Sequence, residues 1–99
     1  MTKCVMKPSS LGNVSLSPEA TLALEDLDLT LNDLLDRHRE GDWGSVSPDE
    51  VSTNSSSIED GEGVVLSQYD YTYGVVFIKT CLSPFKNERS TEVLTGWEM

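Results

Sequence analysis

Two cysteines, one histidine and seven basic residues in 99 positions leave little material for several common kinds of chemistry. Cys4 and Cys81 are too few and too far apart for a disulfide framework. With no C-x-x-C pair and a lone histidine, they do not make a cysteine/histidine zinc site either. Free cysteine packs as a small hydrophobe, so two idle thiols are expected, and no metal or other cofactor. No apolar run approaches the roughly 18–20 residues that span a bilayer. The opening MTKCVMKPSS has lysines but no apolar stretch behind them, so it lacks the pattern of a secretory signal. The expectation is a cytoplasmic protein with one modest core.

Base is scarce where acid is abundant: seventeen Asp and Glu against seven Lys and Arg give a net charge of −10. The acids are unevenly spread, with six and no base between residues 19 and 36, and eight and no base between 40 and 78. Nucleic-acid binding requires phosphates to be neutralised by Lys and Arg, which argues against direct binding to DNA or RNA. An anionic membrane surface would repel the chain in the same way. A basic protein surface would attract it.

Residues 1–16, with their Ser, Gly and Pro, read as a flexible leader, poorly ordered or docked at an edge, ahead of a single α+β domain over 17–99. Ser17-Pro18-Glu19 is a helix start: a cap, a proline suited to the first turn and an acid at the positive end of the dipole. Leu22 and Leu24 are expected to face the core. Thr30, with Asp33 three positions on, opens a second helix whose apolar stripe is Leu31, Leu34, Leu35 and His38. Gly41 is its natural left-handed stop, and Trp43 is placed to fold back over Leu34 or Leu35. His38, Gly41, Asp42, Trp43 and Gly44 therefore have a structural role, which is to end the helix, turn the chain and plug the core. Ser47-Pro48-Asp49-Glu50 repeats the start signal for a third helix to about residue 60, although STNSSSIED is a poor helix former. VVLSQYDY, GVVFIKTC and STEVLTGWEM then read as strands, with Gly74 at a turn. The apolar Val75–Ile78 run predicts a central strand covered on both faces. Two to three N-terminal helices packed on a small three-stranded antiparallel sheet is the predicted architecture.

The order of these landmarks, above all LLDRHREGDWG, then Asn54, LSQY, Gly74 and Arg89-Ser90, resembles a group of small bacterial proteins. They are designated "plasmid-related" or "type I restriction endonuclease subunit M", and the resemblance covers residues 17 to 98. Tyr73 stands where the group has Asp, the loop before Arg89 is longer, and the ending Gly96-Trp97-Glu98-Met99 differs. The longer loop puts in doubt any site that needs Arg89 fixed. The resemblance implies company with plasmids and no established activity. A methyltransferase is excluded on physical grounds, because its cofactor site needs several βαβ units and a Gly-rich strand-to-helix turn.

Three functional readings follow, the last of them a structural subunit with no independent activity. In the first, a non-enzymatic protein binds a basic, nucleic-acid-handling partner, as a DNA-mimic inhibitor does, in a counter-defence or accessory role on a mobile genetic element. Its partner-binding residues would be Asp49, Glu50, Glu59, Asp60, Glu62, Tyr69, Asp70, Tyr71 and Tyr73. The tyrosines are interface material or, equally, rings packed over the sheet edge. In the second, a compact phosphodiesterase or ribonuclease-type toxin uses His38 as general acid/base, Arg89 as anion clamp and Tyr69 or Ser90 as support. The charge of −10 favours the first, since a nuclease must attract a polyanion. EDGEG at 59–63 lacks the alternating ligands of an EF-hand and reads as a solvated turn.

Overall fold

A computed structural model describes residue 6 and residues 8–26, 30–71 and 74–96. Three side-chain caps set the helix starts. In α1 (Pro18–Asp26) the Ser17 hydroxyl accepts from the Ala20 N–H at 3.1 Å. In α2 (Leu31–Arg39) Thr30 accepts from Asp33 at 3.2 Å, and in α3 (Pro48–Asp60) Ser47 accepts from Glu50 at 3.2 Å. Each hydroxyl satisfies one of the orphan donors of a first turn. α1 buries Ala20 and Leu24, four residues apart, and leaves Leu22 exposed. This corrects the expectation for Leu22, which lies two residues on from Ala20 and so about 200° around the helix.

The strands are β1 (Asn13–Leu16), β2 (Gly63–Tyr71), β3 (Gly74–Leu82) and β4 (Ser90–Thr95), in the order β1-β4-β3-β2. β2–β3 and β3–β4 are antiparallel, whereas β1 runs parallel to β4. Among the described residues the fold is α+β with three α-helices, but the sheet is four-stranded and mixed, which corrects the three-stranded antiparallel expectation. The additional strand comes from the segment read as a leader. NVSL is short and half polar, and its partner lies at the other end of the chain, so no local pattern announces it.

β3 is central, yet among the described residues only one of its faces is covered. Val76, Ile78, Thr80 and Leu82 are buried while the alternate residues Val75, Phe77, Lys79 and Cys81 are half-buried. Helices α1 and α2 lie on the buried side, where they form the core with Val65, Tyr69 and Val93. α3 takes a different position, along the outer edge of β2. There the Asn54 side chain pairs with a backbone unit as another strand would: Nδ2 donates to the Leu66 carbonyl and Oδ1 accepts from the Leu66 N–H, both at 2.9 Å. One step along, the Gln68 N–H donates to the Trp43 carbonyl at 3.0 Å and the Ser45 N–H to the Gln68 carbonyl at 2.8 Å. This explains why α3 buries Asn54 and Ser57 and leaves Val51 exposed. Its inward face must satisfy a strand edge, and an open edge of nine residues invites pairing with other chains.

Gly44 and Gly61 have nearly the same positive φ, +71° and +69°, but different surroundings. A Cβ on Gly44 would lie 2.0 Å from the Gln68 carbonyl oxygen, whereas one on Gly61 meets nothing within 4 Å. Gly61→Ala should therefore cost only the left-handed penalty, about 1–2 kcal/mol. Gly44→Ala should cost about 1–3 kcal/mol more, because the bridge to β2 must open and lose the two backbone hydrogen bonds at Gln68. Urea unfolding of both variants measures the difference.

Candidate functional site

The C-terminal turn of α2 is built by its own sequence. The Glu40 N–H closes on the Asp36 carbonyl at 3.0 Å, and Gly41, with φ +90°, turns the chain. The Asp42 N–H then returns to the Arg37 carbonyl at 2.9 Å. The Asp42 carboxylate accepts from Arg37 Nε at 2.8 Å, and the indole N–H of buried Trp43 caps the His38 carbonyl at 3.0 Å. Tyr69 lies below this turn. Its hydroxyl donates to the Asp42 carbonyl at 2.8 Å, and the Arg37 guanidinium sits 4.6 Å from its ring centroid, a cation–π contact. The hydrogen bond that Arg37 donates to the Asp42 carboxylate raises the Arg37 pKa. Burial pushes the Tyr69 hydroxyl up to about 12, partly offset by the nearby Ser67 hydroxyl.

The helix stop is therefore made by Gly41, Asp42 and Trp43, and the imidazole of His38 is free to point into the core. It is 0% exposed. Nδ1 lies 2.5 Å from Ser67 Oγ and Nε2 lies 2.9 Å from Thr80 Oγ1. Thr80 Oγ1 is 2.8 Å from Thr91 Oγ1, and Thr91 Oγ1 donates to the Leu11 carbonyl at 2.8 Å. Burial lowers the His38 pKa to about 4, so the ring is neutral at pH 7. The proton count then fixes every direction in the chain. The single hydroxyl proton of Thr91 goes to the carbonyl, so Thr80 must donate to Thr91, and Nε2–H must donate to Thr80. Nδ1 is left to accept from Ser67. A neutral imidazole in its Nε2–H form matches both neighbours with no group left over.

The residues proposed for catalysis do not converge. Both ring nitrogens of His38 are occupied inside the core, and a general base must come within hydrogen-bond reach of its substrate. Arg89 directs Nε to the Ser83 carbonyl at 2.7 Å, within the β3–β4 loop. Ser90 pairs in register with Cys81, on the sheet face away from the helices. Tyr69, placed in both functional sets, is 3% exposed. Of the other partner-binding candidates, Asp49, Glu59, Asp60, Glu62 and Asp70 are exposed, Glu50 and Tyr71 are half-buried, and Tyr73 lies outside the described residues. Burial also raises the Tyr71 pKa. Among the described residues no three His, Cys, Asp or Glu side chains gather as metal ligands, and no helix is long and apolar enough to cross a membrane.

Ser67, Thr80, Thr91 and Asn54 do not stand out in the sequence as site residues by their chemistry. The available signal is a hydroxyl at an inward position of each of three strands, where alternation calls for an aliphatic side chain. No family model, curated protein or solved structure matches the chain.

The folded protein holds His38 neutral down to about pH 4, whereas the unfolded chain takes up the proton near 6.5. The unfolded state thus binds more protons between those values. The contribution is fully present above pH 6.5 and is lost as pH falls towards 4, by up to about 3 kcal/mol. Because His38 is the only histidine, its ring resonances report this directly: NMR should show no protonation between pH 8 and about 5 in the folded protein. A midpoint near 6.5 would contradict the buried neutral ring.

Proposed function

We propose that this is a non-enzymatic binding protein that docks an acidic edge onto the basic surface of a nucleic-acid-handling protein. The observation that carries the reading is the charge of the α3–β2 edge. Asp49, Glu59, Asp60, Glu62 and Asp70 are exposed there, and neither α3, β2 nor the residues joining them contain a Lys or Arg. The basic residues of α2 are already matched, Arg37 to Asp42 at 2.8 Å and Arg39 to Asp36 at 2.9 Å. The acids near the two ends of α3 are about 16 Å apart along the helix, roughly the rise of five base pairs. Carboxylates so spread compete with phosphates for a basic surface and speed the encounter with it. In this reading the protein acts as an inhibitor, a role suited to a plasmid or other mobile element countering a host defence. The inward-turned His38 and the separation of Ser90 from the helix side also support a binding role over the ribonuclease alternative.

Capture from host lysate at low and high salt, with and without duplex DNA as competitor, tests this. A nucleic-acid-binding protein should be retained at low salt and released by salt or by DNA. A variant with Asp49→Asn, Glu59→Gln, Asp60→Asn and Glu62→Gln should lose at least about tenfold in affinity for it. An empty lane at low salt, or equal capture by the variant, overturns the proposal. RNA cleavage by the purified protein that His38→Ala abolishes would establish the enzymatic alternative instead.

A further inference from the structure

The face of the sheet opposite α1 and α2 is uncovered among the described residues. Its side chains include Val64, Leu66, Phe77, Cys81 and Leu94, all half-buried or exposed. Phe77 and Leu94 are register partners on the two inner strands, as are Lys79 and Glu92. Lys79 and Glu92 stand side by side on adjacent strands, yet neither forms an ion pair among the described residues.

We infer that this face is a self-association surface on which a second copy of the chain packs sheet to sheet. The charges select that occupant. A two-fold axis in the plane of the interface, parallel to the strands and midway between β3 and β4, exchanges β3 with β4 at every level. Lys79 of one copy then lies over Glu92 of the other, and Glu92 over Lys79. At the next level Phe77 lies over Leu94 in both directions. The pattern is self-complementary, as an isologous contact requires. The axis also falls at the centre of the four-stranded sheet, so the overlap is the largest available. Twisted sheets pack face to face at about −30°, which keeps these levels in contact near the axis.

The distribution of acid permits the association despite a net charge of −10. Asp70 and Glu92 are the acids on this face, against Lys79, while the exposed acids of α1, α2 and α3 lie on the helix side or along the β2 edge. Strands of four, six, nine and nine residues at about 4.8 Å spacing and 3.4 Å per residue offer on the order of 450 Å² in projection. That is below the roughly 800 Å² per partner of a standard interface and within the range of weak, reversible ones.

Sedimentation equilibrium of the full chain between about 5 and 500 µM should show a monomer–dimer equilibrium with a dissociation constant on the order of 10–100 µM. Lys79→Glu and Glu92→Lys should each weaken it about tenfold. The Glu92→Lys result is decisive against simple repulsion, because that change lowers the net negative charge and would otherwise favour association. The double variant Lys79→Glu/Glu92→Lys should return the constant to within about threefold of the original, because the swap recreates both pairs. Circular dichroism establishes that each variant is folded before its association is compared. A chain that stays monomeric throughout, a dimer indifferent to the single reversals, or a double variant that is not restored each overturns the inference.

Discussion

The imidazole of His38 is a hydrogen-bonded joint between the helical layer and the sheet. It reaches from α2 to Ser67 on β2 and Thr80 on β3, and Thr80 continues through Thr91 on β4 to the carbonyl of Leu11. Ser67 is in register with Ile78, so Thr80 stands diagonally across from it, two residues along. A flat ring with a donor on one edge and an acceptor on the other spans that diagonal. Each bond contributes only about 1 kcal/mol net, but leaving any buried member unpaired costs about 1–3 kcal/mol. The chain therefore holds together as a unit, and in the low-dielectric core its bonds polarise one another.

Once the ring is committed to the sheet, the rest of the α2 terminus has to close without it. Gly41 reverses the chain, Asp42 reaches back to Arg37, and the Trp43 indole covers the His38 carbonyl. The same turn leaves the Trp43 carbonyl and the Ser45 N–H facing Gln68, where they extend the β2 edge. Asn54 then closes the next position on that edge. Helix stop, core plug and edge protection are one continuous construction, and Gly44 is its tightest point because only a residue without Cβ clears the Gln68 carbonyl.

The outcome is a molecule with unlike surfaces. The α3 edge bears acid without base, while the open sheet face is nearly neutral and partly apolar. They meet only at Asp70, on β2: the acidic edge lies outside that strand and the open face is centred between β3 and β4. Self-association through the open face would place two acidic edges on one particle and leave both accessible. The role of the acidic edge does not depend on it.

The chain's own sequence specified the helix starts, since a Ser or Thr hydroxyl before a suitable first turn acts within four residues. It likewise specified the Gly41 stop, the buried Trp43 and the three C-terminal strands, whose signals are local periodicities. The α+β class followed from the order of those segments. Long-range pairing lay beyond local signals: β1 is four residues of weak propensity made into a strand by a partner from the far end of the chain. Asn54 and Ser57 looked like poor helix residues until α3 was placed along a strand edge that needed their polarity. His38 could be placed on an inward stripe by spacing alone. Its partners and neutral charge were decided only when folding brought hydroxyls from three strands around it and excluded water.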